Sequence, residues 1–133
     1  ANKKKISING GNQWRPFIHV DDIGEAIKKI INSPNSKVNG QVFNIVGENF
    51  KISQIGNIIK KLYPSTKISI SNEKRDLRNY RVSGKKAKQI INFVPKKFVK
   101  KEIPKIIDKV IKNKIKNIKS KKYINYLNAD KFN

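Results

Sequence analysis

Residues 10–27, GGNQWRPFIHVDDIGEAI, decide the fold of this 133-residue chain. The glycines at its start accept positive φ angles at low cost, so the stretch opens with a turn. Residues 17–20, FIHV, are β-branched or aromatic for the most part and favour a strand. Asp22 and Glu25 then stand at the spacing of a capping pair ahead of an amphipathic helix. Arg15 therefore lies where a turn leads into a strand.

The hydrophobic periodicity of the remaining residues predicts short strands alternating with amphipathic helices. Four strands are predicted, over residues 3–8, 15–20, 41–46 and 67–71. The first two are expected to pair as a hairpin, and the third is a nearly continuous apolar run, as in a buried strand. The predicted helices are residues 22–32, a helix capped by Ser53 and ended by Pro64, a short helix over residues 85–91 closed by Asn92, and a last helix from Glu102 to Ile118 with Pro104 in its first turn. This pattern indicates a small α/β fold.

Composition limits the class of protein further. The length and an apolar content of 37% suit one small domain, predicted over residues 1–119, with residues 120–133 as a basic, weakly ordered tail. The chain has no Cys and one His, which excludes disulfides, thiolate metal sites and an ordinary zinc site. We also predict a cytoplasmic protein without membrane contact, because no apolar run has the length of a membrane span and no secretory signal is visible.

The net charge of +22 by itself indicates binding to nucleic acid or to an anionic membrane surface. The basic residues are 27 Lys and only 4 Arg, however, in a chain that is also rich in Ile and Asn. This bias is typical of an AT-rich coding sequence, whereas proteins that grip phosphates favour the bidentate fork of Arg. Nucleic-acid binding is therefore the alternative function, and a steep salt dependence would be its signature.

The stretch of residues 10–27 resembles the segment G-x-G-x-Q-x-R-x-F-I-x-V-x-D-(V/I) of the extended short-chain dehydrogenase/reductases, the NAD-dependent epimerases and dehydratases of nucleotide sugars. Further matches follow in the family's order, and together they extend over residues 6–98. They are VFNIVG at 42–47, DLRNYRVS at 76–83, and the run from Lys85 to Pro95, where the family has K-x-x-x-x-L-G-F-x-P and this chain has Asn92 in place of the Gly.

The resemblance implies an α/β fold: the C-terminal substrate-binding lobe of an extended Rossmann-type enzyme, with short strands, three to five helices and a missing N-terminal Rossmann half. It implies NAD or NADP in the full-length enzyme. The Gly-rich fingerprint that binds the cofactor is absent from this sequence. The catalytic Tyr-x-x-x-Lys is absent too, because Tyr63 and Lys67 have its spacing but Pro64 lies between them. We therefore expect the chain alone to bind no cofactor and to catalyse nothing.

The implied ligand is a nucleotide-diphosphate sugar, and the resemblance places Arg15 and Arg78 on its diphosphate. The scarcity of Arg supports this interpretation, since three of the four arginines fall within residues 73–81 and Arg recognises anions bidentately. The alternative is that they are solvated loop charges or pair with neighbouring carboxylates. The predicted substrate-binding residues are Arg15, Arg78, Asp76, Asn44 and Gln13. Asn44 is included because it ends a predicted buried strand, where α/β sheets bind ligands.

Four other residues in the opening stretch receive structural interpretations. His19 is interpreted as a packed or hydrogen-bonded strand residue, and Asp21 and Asp22 as helix-capping groups. Trp14 has two interpretations, because its ring could stack on a base or sugar or could cover the predicted hairpin.

The sequence thus predicts the substrate-binding C-terminal portion of an NAD-dependent nucleotide-diphosphate-sugar epimerase or dehydratase, which belongs in the synthesis of cell-surface polysaccharide. A homodimer of the whole enzyme is compatible with the resemblance. The alternatives are a basic nucleic-acid-binding module and a separate nucleotide-sugar-binding subunit that completes a partner carrying the cofactor half.

Overall fold

The computed structural model describes residues 5–72, 77–112 and 120. Its strands are β1 (Lys5–Asn9), β2 (Trp14–Phe17), β3 (Glu48–Lys51) and β4 (Lys67–Ser71), and its helices are α1 (Val20–Ile31), α2 (Asn35–Val38), α3 (Ile52–Leu62), α4 (Lys85–Ile91) and α5 (Val99–Ile111). The prediction of an α/β fold with short strands and three to five helices is confirmed.

The described strands form two separate two-stranded sheets. β1 pairs in parallel with β4, with Ile6 opposite Ile68 and Ile8 opposite Ile70, and α3 lies between these strands in the sequence. β2 pairs antiparallel with β3, so that Arg15 lies opposite Phe50. The predicted hairpin between residues 3–8 and 15–20 is therefore wrong. Each predicted partner pairs with a strand from much later in the chain, which alternating apolar residues cannot indicate.

The main core lies where α1 meets α4 and the turn after it. Its buried members are Ala26, Ala87, Ile91 and Phe93, and partly buried aliphatic and aromatic side chains pack against them. Asn92 adopts a left-handed conformation with φ of 51° as it closes α4, and this permits Phe93 to turn back into the core. The predicted helix over residues 85–91 and its Asn cap are confirmed.

Residues 41–46 are irregular, so the predicted buried strand is wrong. The side chain of Val42 is 80% exposed, whereas Phe43 and Ile45 pack against the core and Val46 is buried. The segment alternates only from Val42 to Ile45, and none of the described strands runs alongside it to complete a ladder.

The predicted starts of two other helices need correction. Lys51, not Ser53, occupies the N-cap of α3, and the Lys51 N–H donates to the Gln54 side chain at 2.8 Å. α5 begins at Val99, which places Pro104 inside the helix. The predicted extension of α5 to Ile118 and the predicted tail of residues 120–133 lie outside the described residues, except for Ser120.

Candidate functional site

The turn before β2 is held by its own polar groups. The Gly11 N–H donates to Oε1 of Gln13 at 2.6 Å, and Nε2 of Gln13 donates to the Asn9 carbonyl at 2.7 Å. Gly11 has a φ of 109°, which only glycine adopts readily. Gln13, predicted to bind substrate, therefore uses both ends of its amide to stabilise the turn, and its role in a ligand site stays a prediction.

This turn does not fit the pyrophosphate of a dinucleotide, although it contains two adjacent glycines. Phosphate cradles need backbone N–H groups that point into an open space at a helix N-terminus. Here the Gly10 N–H donates to the Ser71 carbonyl, and the first N–H groups of α3 donate to the carbonyls of Gly11 and Gln13. These backbone groups of the turn are thus hydrogen-bonded to β4 and to the start of α3.

Arg15 projects from β2 toward the irregular segment before α4, residues 77–84, which we call the arginine loop. Nη1 of Arg15 donates to the carbonyl of Arg78 and, at 2.7 Å, to that of Trp14. Its guanidinium carbon also lies 5.6 Å from the centre of the Tyr80 ring, within cation–π range. The structure therefore brings Arg15 to the backbone of Arg78, and the predicted role of both residues in binding a diphosphate stays a prediction.

Trp14 is the centre of a second cationic contact on the same edge. The guanidinium of Arg81 lies 4.9 Å from the centre of the Trp14 ring, and Nζ of Lys51 lies 5.9 Å from it. The Trp14 ring thus lies against two cations in this structure. This contact differs from both predicted roles of Trp14, stacking on a base or sugar and covering a hairpin. Positive charge from Arg15, Arg81 and Lys51 therefore lies around β2 and β3.

Two asparagines that sequence reasoning missed connect the arginine loop to the sheet of β2 and β3. Oδ1 of Asn79 accepts from the Trp14 N–H at 2.9 Å. The side chain of Asn49 accepts from the Val82 N–H and donates to the Val82 carbonyl, both at 2.9 Å. We call Asn49 and Asn79 the asparagine clamp. The chain contains 17 Asn residues, so composition gave no signal that these two differ from the others.

The remaining predicted substrate-binding residues are not joined to Arg15 by the described contacts. Asp76 lies outside the described residues. Asn44 is exposed within the irregular segment 41–46, where the expected strand end does not form. Both assignments stay predictions.

At the other end of β2, carboxylates hold the segment that leads into α5; we call this region the acidic junction. Asp22 is 2% exposed, and its carboxylate accepts from the Lys96 N–H at 3.1 Å and the Lys97 N–H at 2.9 Å. Oε2 of Glu48 accepts from the Val99 N–H at 2.7 Å, at the first residue of α5. The predicted capping pair of Asp22 and Glu25 is wrong, because Asp22 satisfies N–H groups far along the chain.

His19 caps α1 in the place predicted for Asp22. Its Nδ1 accepts from the Asp21 N–H at 3.1 Å, and its Nε2 lies 3.8 Å from Oε2 of Glu102. His19 is thus a hydrogen-bonded residue, as predicted, although it lies just beyond β2 rather than within a strand.

Ion pairs at the acidic junction change the pKa values of the residues that form them. Nζ of Lys97 lies 2.9 Å from Oδ2 of Asp21. Hydrogen bonding from Lys97 lowers the pKa of Asp21, and the same bond raises the pKa of Lys97. The hydrogen bond from Lys105 likewise lowers the pKa of Glu102. A largely apolar pocket of about 200 Å³ lies beside these groups, between β2 and α5. The charged residues that line this pocket pair with other groups of the protein.

Within residues 5–72 and 77–112, no cluster of three His, Asp or Glu residues could hold a metal ion. None of the helices in the same ranges is long and apolar enough to cross a membrane.

Comparisons with known proteins agree with this architecture. The NAD dependent epimerase/dehydratase family matches residues 1–46. No curated protein sequence matches the chain. Similar solved structures include L-threonine dehydrogenase from Phytophthora infestans, with a TM-score of 0.74 and 17% identity over 84% of this chain and 38% of that one.

Two more similar structures come from bacteria. L-threonine dehydrogenase from Clostridium difficile has a TM-score of 0.67 and 19% identity, over 83% of this chain and 37% of that one. UDP-glucuronic acid 4-epimerase from Bacillus cereus, solved with UDP-glucuronic acid and NAD, has a TM-score of 0.63 and 20% identity, over 73% of this chain and 32% of that one.

These findings confirm the resemblance stated from the sequence. Residues 1–46 match the NAD dependent epimerase/dehydratase family, and the fold of most of the chain is similar to that of the solved structures described above. It spans between about a third and two fifths of the length of the solved structures described above.

Proposed function

We propose that the chain is the substrate-binding portion of an NAD(P)-dependent epimerase or dehydratase, and that its ligand is a nucleoside-diphosphate sugar. The observation that carries this proposal is the contact between Arg15 and the arginine loop. A strand-borne arginine and a loop with two more arginines converge on one edge of the molecule. Guanidinium groups in such an arrangement suit a diphosphate, whose oxygens accept paired, charge-assisted hydrogen bonds.

The chemistry of the whole enzyme belongs to groups outside this sequence. The turn at Gly10 and Gly11 does not fit the cofactor, and the Tyr-x-x-x-Lys motif is absent. The role of this chain is therefore to bind and orient the diphosphate, while the cofactor half supplies oxidation and reduction. We place the whole enzyme in the cytoplasm, in the synthesis of cell-surface polysaccharide.

Two other ligand classes compete with this proposal. The net charge of +22 favours nucleic acid. Several proteins of similar fold are L-threonine dehydrogenases, which favours a small amino acid. The ligands differ in the groups they need, because L-threonine has no diphosphate and a nucleic acid offers many equivalent phosphates.

The test is calorimetric titration of the chain with UDP-glucuronic acid, L-threonine and duplex DNA. We expect UDP-glucuronic acid to bind, and Arg15→Lys and Arg78→Lys each to weaken its affinity by about ten- to hundredfold, because Lys keeps the charge but loses the planar fork. The matched controls Lys60→Ala and Lys61→Ala, exposed on α3, should leave the affinity unchanged. Unfolding is measured in parallel to detect structural loss.

The competing ligands give different patterns. Binding of DNA that depends on the number of lysines, falls steeply with salt and tolerates both Arg→Lys changes would replace our proposal with the nucleic-acid module. Binding of L-threonine without any response to UDP-glucuronic acid would replace it with an amino-acid site.

A further inference from the structure

The asparagine clamp holds the arginine loop through side-chain amides that imitate backbone. In an antiparallel ladder, two facing residues exchange both an N–H and a carbonyl hydrogen bond. The Asn49 side chain makes this same pair of bonds with Val82, at 2.9 Å each. The Asn49 amide therefore takes the place of the backbone N–H and carbonyl that a facing strand residue would supply. Asn79 adds a third bond at 2.9 Å, from the Trp14 N–H to its own side-chain oxygen.

The clamped residues adjoin the two described arginines of the loop. Asn79 follows Arg78, whose carbonyl accepts from Arg15, and Val82 follows Arg81, whose guanidinium lies over Trp14. Fixing the backbone at Asn79 and Val82 thus limits where both arginine side chains can reach. Ordering a residue costs backbone entropy, and in this loop the hydrogen bonds of the clamp offset that cost before any ligand arrives.

The chemical identity of the clamp matters as much as its position. Carboxylates at the same places would attract the nearby guanidinium groups and offset the positive charge that attracts an anion. An amide supplies both a donor and an acceptor without charge. Asn49 and Asn79 can therefore hold the loop while leaving the local positive charge unchanged.

We infer that Asn49 and Asn79 are positioning residues that preset Arg78 and Arg81 for a nucleoside diphosphate. The inference rests on the proposed function for the identity of the ligand, and on the clamp geometry for the position of the loop. Positioning raises affinity because the ligand does not have to order the loop itself.

Trp14 gives the test a built-in reporter, because it is the only tryptophan of the chain and contacts both the clamp and Arg81. The test variants are Asn49→Leu and Asn79→Leu, which keep the side-chain size and remove the hydrogen bonds. Asn57→Leu is the matched control, since Asn57 is exposed on α3 and lies outside the clamp. UDP is titrated into each full-length chain while Trp14 emission is recorded.

A second measurement does not depend on any ligand. Trypsin cleaves after Arg78 and Arg81, and mass spectrometry reports these cuts relative to cuts after Lys60 and Lys61 in α3. We expect both Leu variants to speed loop cleavage about fivefold or more relative to the α3 cuts, and the control to leave it unchanged. UDP affinity should fall about tenfold in Asn49→Leu and about fivefold in Asn79→Leu, in line with two lost hydrogen bonds and one.

Asn79→Asp separates position from charge. Aspartate keeps an acceptor for the Trp14 N–H, so loop cleavage should stay as slow as in the unaltered chain, while the added negative charge should weaken UDP binding. A purely structural role for Asn79 does not predict this split. Fast loop cleavage in Asn79→Asp would overturn the role given to its oxygen.

The outcomes distinguish this inference from the proposed function. If the unaltered chain binds UDP and both Leu variants bind it equally well, the positioning role is wrong although the ligand is right. If the unaltered chain does not respond to UDP, the proposed function fails. The clamp is then judged by trypsin alone: unchanged loop cleavage overturns it, and faster loop cleavage supports it.

Discussion

The two ends of β2 are anchored by opposite chemistry. Around Trp14 and Arg15, the described contacts are made by guanidinium and ammonium groups, aromatic rings, backbone carbonyls and neutral amides. Beyond Phe17, the carboxylates of Asp22 and Glu48 collect backbone N–H groups of residues 96–99. The chain has only 9 acidic residues against 31 basic ones, so the use of acids at one end is informative. In a strongly cationic protein, carboxylates at the acidic junction stabilise the fold without reducing the positive charge at the other end.

The difference predicts which end governs stability and which governs binding. Hydrogen bonds to a buried carboxylate are stronger than those between neutral groups, and their loss leaves N–H groups unsatisfied. Changes at the acidic junction should therefore lower the free energy of unfolding more than changes at the arginine loop, and should affect ligand affinity less.

The largest expected effect comes from Asp22→Ala. It removes a carboxylate that is 2% exposed and leaves the N–H groups of Lys96 and Lys97 without their acceptor. We expect a loss of about 3 kcal/mol in the free energy of unfolding, measured by urea denaturation. Asp22→Asn, which keeps one acceptor oxygen, should lose less. A loss below about 0.5 kcal/mol in the Ala variant, a size typical of surface substitutions, would contradict the central place given to this carboxylate.

Glu48→Gln should have a smaller effect at the same junction. The amide keeps an oxygen for the Val99 N–H but loses the charge that strengthens the bond at the start of α5. The expected loss is about 1 kcal/mol in the free energy of unfolding. Glu25→Gln, exposed on α1, serves as the control and should change little. Equal losses in the two variants would show that Glu48 acts only through the net charge of the protein.

At the other end of β2, Arg81→Gln should remove the guanidinium from the face of Trp14. The cation–π contact at 4.9 Å is expected to contribute about 0.5–1 kcal/mol at this partly exposed site. Acrylamide should quench Trp14 emission more strongly in the variant, while Arg81→Lys should restore part of the protection. Unchanged quenching in Arg81→Gln would mean that Lys51 alone covers the ring in solution.

The sequence predicted the elements whose signals are local. The alternating residues of β4, the periodicity of α1 and the Asn92 cap of α4 depend on neighbours within a few positions, and the structure confirms them. The pairing of β1 with β4 and the irregular path of residues 41–46 depend on which distant segment lies alongside, and both predictions were wrong.

The candidate site divides in the same way. The resemblance pointed to Arg15 and Arg78, and the scarcity of Arg supported them, because a rare residue stands out against a lysine-rich background. Their role in ligand binding stays a prediction. The asparagine clamp stayed hidden because Asn is common throughout the chain. The partners of Asp22 were hidden too, since they lie 74 and 75 residues further along the chain. Composition thus reveals residues that are unusual, while contacts between ordinary residues require the fold.

The smallest expected effect is a pH dependence confined to the acidic junction. The pKa of Asp21 is lowered below its usual value of 3.8 by Lys97, and the pKa of Glu102 is lowered below 4.5 by Lys105. A carboxyl with a lowered pKa in the folded state stabilises the fold above its unfolded pKa, and this contribution disappears as pH falls through the folded value. Lys97 has a raised pKa, so the stability that it contributes is present below pH 10.5 and is lost as pH rises above that value.

The free energy of unfolding should therefore decline as pH falls below about 4, and Asp21→Asn should make that decline slightly shallower, because this exposed pair contributes little. The arginine loop is held by amide and guanidinium groups, which do not titrate between about pH 3 and pH 10. Acrylamide quenching of Trp14 should then stay constant on the acid side until the chain unfolds. Quenching could instead rise at the pH at which the free energies of unfolding of Asp21→Asn and the unaltered chain begin to differ. The two ends of β2 would then be coupled, and the assignment of stability to one end and binding to the other would be wrong.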